Sequence, residues 1–211
     1  MDGGAVSPPV VLVHGLWMHG IAMAWLAARL RRRGFRTLAP SYPTVRRGLD
    51  DNADRLAETL AGFRQGGTAH LVGHSMGGLL ILRMLERHPD LPVGRIVLLG
   101  SPVRGSSLAH ILARNGVLRR IIGRSLADWQ RAPRPQAPPN RSIAVIAGNS
   151  GLGTARCFRD VPRPNDGVVA VCETCFDDLP PPLVLPVNHS QMLVSRSVAD
   201  RVAGFLAGGR L

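Results

Sequence analysis

Apolar residues along this chain follow two alternating rhythms. The first is a short unbroken run: Val10-Val11-Leu12-Val13, then residues 35–39, 69–72, 95–100, 143–147 and 183–186. Apolar runs of this length, bounded by turn residues, suit strands buried on both faces of a parallel sheet. The second is a spacing of three and four. It runs over residues 19–33 (Ile21, Trp25, Leu26, Leu30), over 50–63 (Leu56, Leu60, Phe63), over 76–88, and over 191–206. Gly34, Pro89 and Gly208-Gly209 stand where three of these helices should stop. Strands alternating with helices predict an α/β fold in three layers, with about six mostly parallel strands and helices on both faces.

The alternation pauses after the fourth run. Residues 101–140 carry two predicted helices, at 107–115 and 117–128, followed by a proline-rich stretch at 132–139. Ordinary connections in such folds take about 2–6 residues, so this small helical excursion is an insertion of the kind that forms caps or lids. Its apolar positions are Leu108, Ile111, Leu112, Leu118, Ile121 and Ile122. They either pack on the sheet or cover a pocket for an acyl chain. Between the fifth and sixth runs lie a glycine-rich loop and then Arg163-Pro164-Asn165-Asp166-Gly167-Val168-Val169.

At 211 residues and 45% hydrophobic, the chain can bury one core and is expected to be a single domain, residues 1–211. No apolar run approaches the ~20 residues of a membrane span. The first residues lack a basic stretch followed by an apolar one, so no signal peptide is expected and the cytoplasm is the default location. The formal charge is +12, and every one of the 26 basic residues is arginine. These arginines are scattered and are not interleaved with aromatics, which argues for solvated helix faces and against a nucleic-acid partner. Peripheral contact with an anionic membrane stays compatible with them.

Cys172-Glu173-Thr174-Cys175 spells C-x-x-C, with Cys157 as the third cysteine. A structural zinc site needs a second ligand pair, which is missing, and a redox pair is expected at the start of a helix in a thioredoxin-like unit. Ordinary reduced thiols are expected, with no metal and no cofactor.

The third run leads into Gly73-His74-Ser75-Met76-Gly77-Gly78. A chain of this composition supplies Gly-x-Ser-x-Gly by chance ~0.15 times, so context must carry it. Here a strand precedes the serine and a helix follows. Such a sharp turn needs glycine at Gly73 and Gly77, where a Cβ would clash, and it lifts the serine hydroxyl clear of the sheet. It also aims the first helical amides, Met76 N–H among them, at an oxyanion forming beside Ser75.

A serine hydroxyl cannot attack unaided. It needs an imidazole to take its proton and a carboxylate to orient that imidazole. In an open α/β sheet reactive groups gather at the carboxyl ends of the strands. Asp166 follows the fifth strand there, between Asn165 and Gly167, and His189 follows the sixth. Among the other histidines, His14 is expected to hold the loop beside it and His74 to be locked inside the turn. His110 lies in the excursion, and His19, His70 and His88 have no positional claim. Asp160, Asp177 and Asp178 are the rival acids, the last two with the look of solvated loop residues.

The sequence resembles the α/β-hydrolase superfamily, in its small bacterial lipase- and esterase-like branch. Val13-His14-Gly15-Leu16 is similar to that family's His-Gly oxyanion loop, which implies a second oxyanion donor at the Leu16 amide. The Ser75 segment is similar to the nucleophile elbow. Gly100-Ser101-Pro102-Val103-Arg104-Gly105-Ser106 is similar to a Gly-Thr-Pro-His-x-Gly-Ser stretch, with Val103 where the histidine usually stands, and Asn165 to Val169 is similar to the acid loop.

The resemblance implies a hydrolase of carboxylic esters, small-molecule or lipid, acting through Ser75, His189 and Asp166 and an acyl-enzyme. The chain is too short for the long lid of the larger lipases and has no acidic cluster for their calcium. Thioesterase, phospholipid acyl hydrolase and acyltransferase activity would use the same three residues. A non-catalytic binding role on this fold is the reading that a complete set of three argues against.

Overall fold

The computed structural model describes residues 8–114, 118–132, 135–151 and 161–211, and side chains at all of these except 118–122. Cys157, Asp160 and the side chains of Leu118, Ile121 and Ile122 therefore lie outside the described residues.

Six strands form one sheet: β1 (Val10–Val13), β2 (Thr37–Leu38), β3 (Ala69–His74), β4 (Val93–Leu99), β5 (Ile143–Gly148) and β6 (Leu183–Leu185). Their spatial order is β2-β1-β3-β4-β5-β6, and every neighbouring pair is parallel. Among the described residues six α-helices accompany them: α1 (Ala24–Arg31), α2 (Leu49–Arg64), α3 (Met76–Arg87), α4 (Ser107–Ala113), α5 (Leu118–Arg131) and α6 (Arg196–Gly208).

The unbroken apolar runs are explained by two separate cores. Successive strand residues point to opposite faces, so each run must be apolar at both odd and even positions. Val11, Val13, Leu71, Ile96, Leu98 and Val145 face a core built with α2, α3, α4 and α5. Val10, Leu12, Val72, Val97, Leu99, Ala144 and Ile146 face the other, built with α1 and α6. Each fully buried aliphatic side chain contributes about 1.5–3 kcal/mol, so both layers are needed to hold the sheet.

Four elements differ from their sequence patterns, each for a local reason. The first helix begins as a 3-10 turn, Gly20–Met23, because the Gly20 amide is taken by Ser41 Oγ at 2.9 Å. A Cβ on Gly20 would sit 2.1 Å from the Ala39 carbonyl oxygen, so that turn lies hard against the chain leaving β2. Strand β2 is shortened to two residues at the sheet edge, where only Val10 and Val11 pair with it. The last helical pattern is split into Gln191–Leu193 and α6, because Ser195 restarts the helix by accepting the Val198 amide.

The fourth is α5, which extends to Arg131 and is broken at Gly123, whose φ of 76° and ψ of 165° are not helical. Arg124, next along, gives its amide to the Val45 carbonyl at 3.1 Å.

The strand order reverses between β1 and β3. Open α/β sheets form a crevice beyond the carboxyl ends of the strands at such a point. The loops after β1 and β3 therefore meet there, carrying Gly15-Leu16 and Ser75.

Candidate active site

Ser75 joins β3 to α3 with φ 55° and ψ −124°. A non-glycine residue held at positive φ costs on the order of 1–3 kcal/mol and persists only where its surroundings enforce it. Here the Ser75 amide donates to Leu99 O at 2.8 Å, and its carbonyl accepts from Gly78 N–H at 3.1 Å. The predicted glycine requirement is steric. A Cβ on Gly73 would lie 2.5 Å from Gly78 Cα, and one on Gly77 would lie 2.2 Å from Val13 O. The serine is half-buried while its neighbours His74 and Met76 are buried, so the turn does raise Ser75 to the crevice.

Asp166 and His189 come together from the loops after β5 and β6. His189 Nδ1–H donates to Asp166 Oδ2 at 2.7 Å, and the His189 amide donates to the Asp166 carbonyl at 2.9 Å. The other carboxylate oxygen, Oδ1, accepts from Val168 N–H at 2.9 Å and Val169 N–H at 2.7 Å. Gly167, at φ 94°, makes the reversal that lets both amides reach back. The carboxylate is 1% exposed and fully engaged. With its proton on Nδ1, the neutral His189 ring keeps the Nε2 lone pair for a partner in the crevice. Gly100 leaves the room: at φ 54°, a Cβ there would stand 3.0 Å from Asp166 Oδ2.

The loop after β1 is held by His14 and Tyr42. Tyr42 N–H donates to His14 Nε2 at 3.3 Å, so that ring carries its proton on Nδ1, which donates to Gly15 O at 2.9 Å. The Tyr42 hydroxyl donates to His14 O at 2.7 Å, and the two rings stack with centroids 4.3 Å apart. In a planar trans peptide the N–H points opposite the C=O. Fixing the Gly15 carbonyl therefore fixes the direction of the Leu16 amide. Burial holds the His14 pKa below its ordinary value, against the opposing pull of the Gly15 carbonyl, and the ring stays in this neutral form. Met76 N–H, the first helical amide, has no acceptor within α3.

Ser75, His189, Leu16 and Met76 all line one cavity of about 570 Å³. Its outer wall comes from the excursion predicted at 101–140: Leu108, Ala109 and Leu112 of α4 with Leu126 of α5. Val168 and Val169, behind the acid, close another side. Among the described residues, the polar lining side chains are Ser75, Ser106, His74 and His189 with the indole of Trp17, and no carboxylate or guanidinium lines it.

Three residues at or beside this cavity make contacts that the sequence patterns do not show. His74 is buried and donates from Nε2 to His189 O at 3.0 Å, with its ring 4.6 Å from the His189 ring. Tyr42 has no motif of its own. Glu173, inside the C-x-x-C, is buried and accepts two amides. A lone acid between two cysteines gave no periodic signal that could have found it.

Of the rival acids, Asp177 and Asp178 are exposed, Asp177 pairing with Arg104 and Asp178 accepting from Ala137 N–H at 3.2 Å. Cys172 and Cys175 are free thiols. Among the described residues no group of three or more His, Cys, Asp or Glu could hold a metal ion, and no helix is long and apolar enough to cross a membrane.

Solved structures share this architecture at low sequence identity. The mature lipase BlEst2 of Bacillus licheniformis superposes with a TM-score of 0.72 at 21% identity, over 98% of this chain and 94% of that one. An esterase from Thermogutta terrifontis gives 0.70 at 15% identity, over 97% and 91%. The pyrethroid hydrolase PytH gives 0.69 at 16%, over 96% and 98%. A search of curated proteins finds no match. A family model described as the alpha/beta hydrolase family matches residues 10–210. The chain, matched over nearly its whole length, belongs to that family.

Proposed function

We propose that this protein hydrolyses carboxylic esters with an uncharged, apolar acyl group. The observation that carries the reading is that Ser75 and the Asp166-bound His189 open onto one apolar cavity. Ser75 Oγ attacks the ester carbonyl carbon while His189 Nε2 takes its proton. The oxyanion is held by the Met76 and Leu16 amides. The tetrahedral intermediate collapses by breaking the bond to the alcohol, which leaves with the proton from His189. Water then gives its proton to His189 and attacks the acyl-serine; the bond from the acyl carbon to Ser75 Oγ breaks as His189 returns the proton to that oxygen, releasing the acid and free Ser75. Asp166 keeps the imidazole in the Nδ1–H tautomer and stabilises its charged form.

The helices of 101–140 act as a cap over the acyl chain. The wall of described residues is apolar, and a carboxylate entering it would lose hydration without gaining a partner there, which disfavours acyl groups that carry one.

Turnover of p-nitrophenyl butyrate by wild type and Ser75→Ala tests the reading. Loss of a nucleophile in a serine hydrolase costs on the order of 10⁶ in kcat. A Ser75→Ala variant that keeps wild-type turnover, or a wild type that neither cleaves esters nor reacts with a fluorophosphonate at Ser75, would end it.

A further inference from the structure

His74 is a buried imidazole that the mechanism above leaves unused, although it is bonded directly to Ser75 in the chain. We propose that His74 is a positioning residue for His189. Its Nε2–H grips the His189 carbonyl, and its uncharged ring forms the wall against which the His189 imidazole rests. The proposal rests on the esterase reading for what His189 does, but not for the contact itself.

Among the described residues three hydrogen bonds hold His189. Two come from Asp166, one to its amide and one to its ring. A residue held only by its acid could swing with the acid loop, since both bonds would move together. The third bond comes from His74, at 3.0 Å to the His189 carbonyl. Because His74 is the last residue of β3 and the neighbour of Ser75, this bond ties the base to the strand that carries the nucleophile. The separation of Ser75 and His189 is then set through one short link, Ser75–His74···His189, and not through the long loops after β5 and β6.

The protonation state follows from the partners. A carbonyl only accepts, so the His74 proton resides on Nε2. Nδ1 is buried, has no hydrogen-bond partner among the described residues, and faces Gly15, where a Cβ would stand 3.3 Å away. A second proton would have to sit on that nitrogen, with no acceptor for it among the described residues. The groups facing the ring are the imidazoles of His189 and His14. Burial first, and then the charge His189 or His14 would carry, push the His74 pKa down to about 3. A neutral His74 matters because His189 becomes a cation when it takes the serine proton. A second cation with its ring centroid 4.6 Å away would oppose that step.

The test compares His74→Leu, which removes the donor at similar volume, with His74→Gln, whose side-chain N–H reaches about as far as Nε2. In His74→Leu, kcat on p-nitrophenyl butyrate should fall about 10- to 100-fold, the scale of a small misplacement of a reacting group. KM should stay within about twofold, because the cavity wall is otherwise intact. Fluorophosphonate labelling of Ser75 should slow by the same factor, and His74→Gln should recover most of both. A general loss of packing would instead depress the two variants alike.

Unchanged kcat in His74→Leu, or equal loss in Leu and Gln variants that melt like wild type, overturns the proposal. Histidine ¹⁵N spectra of the wild type decide the contact without any variant. His74 should hold a neutral Nε2–H tautomer from pH 8 to pH 4, and an Nδ1–H tautomer or a charged ring at pH 7 overturns it. A wild type that cleaves no ester would sink the esterase reading and leave this spectroscopic test to judge His74 separately.

Discussion

Glu173 accepts the Ser107 amide on one carboxylate oxygen at 2.6 Å and the Ala170 amide on the other at 2.8 Å. Ser107 opens α4, so a buried acid from the β5–β6 connection caps the helix that walls the cavity. A negative charge at that end satisfies an orphan amide and favours the helix dipole. Arg104 N–H also donates to the Glu173 carbonyl, at 3.0 Å, so the segment is bound to the chain leading into α4 at two points.

Glu173→Gln replaces one of those acceptor oxygens with an amino group that faces an N–H. At least one amide then loses its partner, and a hydrogen bond to a charged group is worth about 1.5–3 kcal/mol. Urea unfolding should show a loss of that size. With α4 less firmly held, KM for a decanoate ester should rise several-fold while kcat on a butyrate ester stays near wild type. Ser75, His189 and Asp166 keep their own contacts, so a matching fall in kcat on both esters would contradict this role.

Acid should destabilise the fold through its buried histidines. His70 is 4% exposed, and burial, with a smaller contribution from the Arg95 charge, holds its pKa down to about 4. The unfolded chain takes up this proton near the ordinary value of 6.5, but the folded protein does not until about pH 4. Stability is therefore lost as pH falls from 6.5 towards 4, by up to about 1.4 kcal/mol per pH unit for this residue. His14 and His74, also held low, add in the same direction. The paired carboxylate Asp50 titrates below its ordinary 3.8 and stays outside this window.

His70 Nδ1 accepts the Arg95 amide at 2.8 Å, a role the Asn Oδ1 can fill. His70→Asn should flatten the urea midpoint between pH 6.5 and pH 4 relative to wild type. An unchanged slope would mean His70 is protonated in the fold.

Much of this architecture was legible because it repeats. The two-faced strands show as unbroken apolar runs, and the turn at Ser75 shows as glycines at fixed spacing. Asp166 and His189, which the structure brings into hydrogen-bond contact, stand out from their rivals in the sequence because each follows a strand at the carboxyl edge of the sheet. What was not legible depends on contacts distant in sequence. The 3-10 start at Gly20 depends on Ser41, and the break at Gly123 depends on Val45. His74 is locked inside the turn as expected, and only its contact with His189, far along the chain, has no signal in the sequence. Glu173 lies between two cysteines, and its partners Ser107 and Ala170 follow no sequence period.

The cap is pinned on its far side as well. Asn52 Nδ2 donates to Ser125 Oγ at 3.0 Å, Ser125 Oγ donates to Arg47 O at 2.9 Å, and Asp128 Oδ2 accepts the Leu49 amide at 3.1 Å. Swinging Leu126 away from the cavity would break this set, and swinging Leu112 away would strain the Glu173 contact. The wall should therefore stay closed over its substrate. Hydrolysis of p-nitrophenyl esters should rise smoothly with concentration through the micellar threshold, with no jump at the interface.

Chain length should instead be set by the wall itself. Burying a methylene is worth about 0.8 kcal/mol, close to fourfold in kcat/KM. Leu112→Trp and Leu126→Trp, which take up the space of a few methylenes, should cut kcat/KM on a decanoate ester at least tenfold and leave acetate and butyrate within about twofold. A sharp rise at the interface would show that the cap opens, and an unchanged chain-length profile in both variants would place the acyl chain elsewhere.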